Sequence, residues 1–181
     1  MIQGTIRRVG RKYIVRPDPF VLEYADNVAA VRQGTAYLKN RVNKVVIGSF
    51  DRFLALNRQG ARCETAVKIL LNPIRWWALA EKLTHLPDLG LFVDVKGRAK
   101  AWHEMPVQTD DEDEFAFVLV TAENDPDFVV HGWLWGWEAK KHPLKDPDNR
   151  GSLAHFVDQD ALRDTDELIA IIHPDRKRGI A

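Results

Sequence analysis

Cysteine is almost absent from this chain. Cys63 is the only one, which excludes an intramolecular disulfide, a zinc knuckle and a CxxC redox pair, and fits a reducing compartment. Long apolar runs are missing too: no stretch approaches the roughly 20 consecutive apolar residues of a membrane span, and the start MIQGTIRRVG lacks the apolar core of a signal peptide. A cytoplasmic location without membrane contact is therefore expected. The glycine-rich patterns that cradle phosphates are absent, as is a GxSxG elbow, which removes the usual signals for nucleotide hydrolysis, hydride transfer and serine catalysis. The six histidines, His85, His103, His131, His142, His155 and His173, form no HxH or HExxH spacing, so a zinc enzyme is not indicated.

Net charge is also lacking, since 26 basic residues balance 26 acidic ones. The balance hides a division. Residues 1–100 carry 18 Lys and Arg against 8 Asp and Glu, while residues 101–181 carry 8 against 18. A basic half of this kind hints at a polyanionic partner. At 181 residues one domain, 1–181, is the default, and a core of this size needs no disulfide or structural metal.

Local patterns suggest an α+β fold. Residues 1–16 read as an N-terminal hairpin turning at Gly10-Arg11, with Pro17 and Pro19 breaking it. Helical periodicity follows from Asp26 through Val42, although Gly34 interrupts it, then from Phe53 to Leu71, and from Ile74 to Leu83. After Pro87 the period changes to that of strands: Leu91 to Lys96, Lys100 to Val107, Phe115 to Thr121 and Phe128 to Trp135, with AHFV as a further short strand. Glu138 to Lys141 reads as the start of a short helix, and Leu162 to Ile172 as a terminal helix or strand. Helices followed by consecutive strands predict an antiparallel-rich central sheet flanked by helices.

The segment PDLGLFVDVKG, residues 87–97, carries the most chemistry. Alternation puts Asp94 and Lys96 on one face of a strand while Val93 and Val95 point into the core. A carboxylate able to hold Mg²⁺ then stands beside an ammonium able to orient a nucleophile or stabilise negative charge, as phosphodiester hydrolysis requires. An isolated D-x-K is more often a surface ion pair, and Lys96, read as a half-exposed strand residue, is then expected to contribute little to stability.

A helix containing Glu64 (GARCETAVKILL), then Pro87-Asp88, then a strand ending Asp94-Val95-Lys96, then further strands, resembles the PD-(D/E)XK nuclease superfamily, most strongly from Gly60 to about Leu168. FVVHGWLWGWEAKK and GSLAHFVDQDAL are similar to the downstream part of small phage- and prophage-associated members. The resemblance implies a restriction-endonuclease-like core over 53–172, a metal-dependent nuclease activity on DNA or RNA with DNA the favoured partner, and Mg²⁺, replaceable by Mn²⁺. It implies Asp88 and Asp94 as metal ligands joined by the Val95 carbonyl, Lys96 as catalytic base or electrostatic stabiliser, and Glu64 as a supporting acid.

This sequence departs from the usual pattern in spacing, because only five residues separate Asp88 from Asp94. One straight strand would hold the two carboxylates about 20 Å apart, so a turn at Leu89-Gly90 is required. Glu64 also lies four residues before Lys68, where an exposed helix-surface pair is the alternative. Asp110 to Glu114 reads as a solvated turn, or else as a source of a substitute ligand. Arg98 and Lys100 would reach phosphate only if the strand continues past Gly97. Trp133, Trp135 and Trp137 would share one face of a strand, as core, as a homo-oligomer interface or as a stacking platform. Arg176-Lys177-Arg178 forms a basic tail. The rival reading is a non-catalytic nucleic-acid- or protein-binding module on a nuclease-like scaffold.

Overall fold

The computed structural model describes residues 4–38, 50–71, 88–89, 92–146 and 153–174. The expected helix Ile74 to Leu83 and the basic tail lie outside these residues. Strands β1 (Gly4–Val9) and β2 (Lys12–Pro17) form the N-terminal hairpin, and its turn holds Gly10 at φ 62°, a conformation glycine adopts without a Cβ penalty. Helix α1 spans Pro19–Leu38, starting earlier than periodicity predicts. Proline is suited to a first helical turn, where its missing N–H has no partner to lose. The carbonyl of Asp18 accepts from the Val21 and Leu22 amides, and the helix runs through Gly34.

Helix α2 (Phe50–Leu71) is followed by β3 (Val93–Arg98), β4 (Met105–Gln108), β5 (Ala116–Asn124) and β6 (Asp127–Trp135). Short elements follow among the described residues: α3 (Gly136–Ala139), β7 (Leu144–Lys145), β8 (Ala154–Val157), a 3-10 turn (Gln159–Ala161) and α4 (Thr165–Ile172). Lys100 to Glu104, expected as strand, forms a loop instead, leaving only β4 extended. A five-stranded sheet has the order β1-β2-β6-β5-β3, and a three-stranded sheet the order β4-β8-β7. Within the larger sheet only the β3–β5 pair is parallel. This is the α+β, antiparallel-rich arrangement expected.

Two apolar layers fix β5 at the centre. Ala116, Val118 and Val120 face the α2 side with Cys63, Val67 and Leu70, while Phe117 and Leu119 face Met105 and Val107 of the small sheet. A strand buried on both sides needs apolar residues at every position, as FAFVLVT supplies. Trp133 and Trp135 lie on the α2 side of β6 with ring centroids 5.1 Å apart, and Trp133 is fully buried. Trp137 leaves that face because the strand ends at Trp135. Its half-exposed ring sits in α3 under the Lys141 ammonium. The expected three-tryptophan stripe is therefore a buried pair plus one surface ring. No helix among the described residues is long and apolar enough to cross a membrane.

Candidate metal and phosphate site

Strand β3 lies beside β5 and positions the candidate residues. Val93 and Val95 face α2, and Gly97 lies against it so closely that a Cβ there would stand 3.1 Å from Cys63 Sγ. Cys63 is structural: burial pushes its thiol up to about 12, out of the nucleophilic range at neutral pH. Asp94, Lys96 and Arg98 alternate to the opposite face, where the Lys96 ammonium sits 4.7 Å from the Phe117 ring centroid. The strand does continue past Gly97, so Arg98 shares this face.

Chain reversal before β3 brings Asp88 alongside it. Leu89 and Val93 exchange backbone hydrogen bonds of 2.8 and 3.1 Å, and the Val95 amide donates to Asp88 Oδ2 at 2.8 Å. The parallel ladder, in which the Ala116 amide donates to the Phe92 carbonyl, directs the backbone groups of 92, 94 and 96 toward β5 and those of 93 and 95 outward. The Val95 carbonyl and the Asp88 carboxylate therefore lie along the same outer edge of β3. The antiparallel bridge between Leu89 and Val93 meets the need for a reversal that the short spacing creates, while Gly90 lies outside the described residues.

Two charge clusters adjoin that edge. In the first, Lys96 Nζ lies 3.2 Å from Asp94 Oδ1 and 2.9 Å from Asp111 Oδ2, and Asp94 is only 8% exposed. Burial works against the Lys96 charge, but Asp94 and Asp111 together outweigh it and raise the ammonium above the ordinary lysine value. Flanked by these carboxylates, Lys96 is a cation suited to electrostatic stabilisation. Its side chain is 18% exposed, so the expectation of a half-exposed lysine is corrected.

The acidic run is the expected turn, with Asp110, Glu112, Asp113 and Glu114 exposed, but Asp111 within it is held in place. Its Oδ2 also accepts from the Gln108 amide at 2.8 Å, and its carbonyl accepts from Lys140 Nζ. Lys140 pairs with Asp113 at 2.7 Å, the Trp137 amide donates to the Asp113 carbonyl, and a Cβ on Gly136 would fall 2.3 Å from the Glu112 carbonyl oxygen. Only a glycine at 136 lets α3 press this closely on the turn.

The second cluster lies on the helical side. Glu64, 7% exposed, accepts two hydrogen bonds from Arg32 of α1, at 2.7 and 2.9 Å. Burial opposes the Arg32 charge, but Glu64, with a contribution from Asp88, raises its pKa. Lys68 is likewise 7% exposed, and burial lowers its pKa, assisted by the Arg32 charge and opposed by Glu64 and Asp88. The anticipated exposed Glu64–Lys68 surface pair is thus a buried group dominated by Arg32.

Asp88 and Glu64 both act on the Arg32 and Lys68 charges, Asp94 pairs directly with Lys96, and the Val95 amide between them donates to Asp88. Sequence reasoning assigned no role to Arg32, took Lys68 only as the partner of an exposed Glu64, and counted Asp111 only within an acidic run that could supply a substitute ligand. For a hard divalent cation, the oxygen donors are the Asp88 carboxylate and the Val95 carbonyl on the outer edge and the Asp94 carboxylate on the Lys96 face of the same strand, donor types suited to Mg²⁺ or Mn²⁺. Among the described residues no group of three or more His, Cys, Asp or Glu is gathered around one metal position. Comparisons with family models, curated proteins and solved structures find no match to this chain.

Proposed function

We propose that the chain is a metal-dependent phosphodiester hydrolase acting on DNA or RNA, built on a restriction-endonuclease-like core. The observation that carries this reading is the return of Asp88 to the outer edge of β3, where its carboxylate binds the Val95 amide between Asp94 and Lys96. Asp88, Asp94 and the Val95 carbonyl would hold Mg²⁺, or Mn²⁺ in its place. When bound, the ion supplies Lewis-acid polarisation of the phosphate and a more acidic water. Lys96 would act as a cation on the charge that develops at the scissile phosphate. Asp111 would keep Lys96 aimed, and Glu64 would support the edge through Arg32 and Lys68. Arg98 and Lys100 would contact phosphate farther along.

A specific observation favours a second reading. Lys96 stands between two carboxylates and Glu64 is bound in bidentate fashion by Arg32, so internal ion pairs balance much of the site, as in a nuclease-like scaffold that binds without turnover. Cleavage assays on single- and double-stranded DNA and on RNA, with Mg²⁺ or Mn²⁺ and with EDTA, separate the two. Metal-dependent cleavage lost in Asp94→Asn supports the hydrolase. Salt-dependent binding without cleavage supports the scaffold.

A further inference from the structure

We propose that Trp102 is a stacking platform for an unpaired base of a nucleic-acid strand leaving the Asp94–Lys96 site, an inference that rests on the nucleic-acid reading of that site. Trp102 is 76% exposed, in the loop between β3 and β4. A tryptophan presents one of the largest apolar side-chain surfaces in proteins, and this loop does not use it for packing. Its neighbour His103 meets the ring edge-on at 4.4 Å between centroids.

The loop is braced without help from the indole. The Ala101 amide donates to Glu123 Oε2 at 2.9 Å, and Gln159 Nε2 donates to the carbonyls of Ala101 at 2.6 Å and His103 at 3.0 Å. The His103 amide closes the turn on the Lys100 carbonyl at 3.1 Å. Glu123 of β5, Gln159 and the loop's own turn thus hold the backbone on either side of Trp102 while its ring stays in water. Such fixation lowers the ordering cost that a flexible aromatic would incur on binding.

Position and charge point to the occupant. The loop continues directly from the strand that carries Asp94, Lys96 and Arg98, and it carries Lys100 two residues before the tryptophan. Lys100 is tied to Glu123 only by a 3.3 Å contact between side chains 54% and 35% exposed. An exposed pair of that kind is worth under about 1 kcal/mol, so a backbone phosphate can take over the ammonium. A ring beside an exchangeable cation, one loop beyond a phosphate-directed strand, matches the alternation of base and phosphate along a single strand. Among the described residues the other exposed aromatic side chains, Phe20, Tyr24 and Trp137, lie on α1 and α3 and not on this loop, whereas a protein-binding hot spot typically clusters its aromatic anchors.

The test is fluorescence anisotropy in EDTA at fixed salt, with a fluorescein-labelled oligo-dT of about 20 nucleotides and a duplex of equal length as probes, for the parent, Trp102→Ala and Trp102→Phe. Loss of one stacked base corresponds to roughly 5- to 150-fold in affinity. Trp102→Ala is expected to weaken single-strand binding about tenfold or more, with Trp102→Phe retaining most of it. Duplex binding and the salt dependence of single-strand binding should stay within about twofold, because stacking neutralises no phosphate. Equal affinity of parent and Trp102→Ala for the single strand overturns the proposal, as does a parent that binds no single strand. A change of oligomeric state on Trp102→Ala, with nucleic-acid binding unaltered, overturns it in favour of a protein interface. Trp102-dependent binding by a parent that cleaves nothing removes the hydrolase and leaves the platform standing; cleavage with unaltered Trp102→Ala binding does the reverse.

Discussion

Lys96 separates structural from catalytic contributions because its ammonium serves two carboxylates at once. Removing it leaves Asp94 and Asp111 partly buried without their shared cation, a change that typically costs about 3 kcal/mol, or roughly 5–10 °C in Tm for a chain of this length. Lys96→Ala is therefore expected to lower both cleavage, by about 10²–10³-fold, and Tm. Adding Asp111→Ala should recover part of the Tm but none of the rate, so thermal melts and cleavage assays on the same double-mutant cycle divide the two effects. A Lys96→Ala Tm equal to the parent's would contradict the paired geometry. Arg32 supports an analogous experiment across the helices. Arg32→Ala strands a buried Glu64 and should cost on the order of 3–5 kcal/mol in a denaturant titration, whereas Arg32→Ala combined with Glu64→Ala should cost less than Arg32→Ala alone. Additive losses would mean the pair is not coupled. At this scale the sequence revealed Asp88, Glu64, Asp94 and Lys96 as residues of interest, because residue type and strand alternation are local properties. It did not reveal their partners. Arg32 lies 32 residues from Glu64, and Asp111 lies 15 from Lys96, contacts that no periodicity encodes.

Among the elements, the α2–β3 contact does most to place the site. Gly97 and Cys63 touch where helix and strand approach, and overpacking such a contact costs typically about 1–3 kcal/mol. Gly97→Val should lower Tm accordingly, and Cys63→Ala in the same chain should restore part of the loss by making room. No rescue in a melting series would place the strain elsewhere. The elements themselves were largely legible in the sequence: the hairpin turn at Gly10, the end of α2 at Leu71, and the doubly apolar β5 each follow from turn chemistry or hydrophobic period. The failures have local causes. Pro19 reads as a breaker but serves as a helix start, and Lys100 to Glu104 alternates like a strand yet has its backbone satisfied by Glu123, Gln159 and His103 instead of a neighbouring strand.

For the molecule as a whole, the acid limit of stability has one identifiable contributor in His131 of β6. Burial, with the charge of Lys12 assisting, pushes its pKa down to about 4, and its Nε2 is within 2.8 Å of Thr121 Oγ1. The folded chain therefore holds a neutral imidazole where the unfolded chain, with an ordinary value of about 6.5, binds a proton. Stability from this group is complete above about pH 6.5, falls as pH drops toward about 4, and changes no further below that. Tm measured between about pH 7 and 4 should decline through this window, and His131→Gln should flatten the decline. An identical slope in parent and variant would remove His131 from the account. Asp127, depressed by its hydrogen bonds from Arg16, acts only at lower pH. What the sequence determined by itself was the α+β class, the order of its principal elements and the need for a turn between Asp88 and Asp94, because composition, period and chain reach act over a few residues. Only the tertiary structure decided that β3 pairs in parallel with β5, that Lys96 is shared between Asp94 and Asp111, that Asp111 within the acidic run is held in place, and that Trp102 stands in water on a braced loop. Each of these depends on which distant surfaces exclude solvent from which polar groups, and that is settled only when the whole chain has packed.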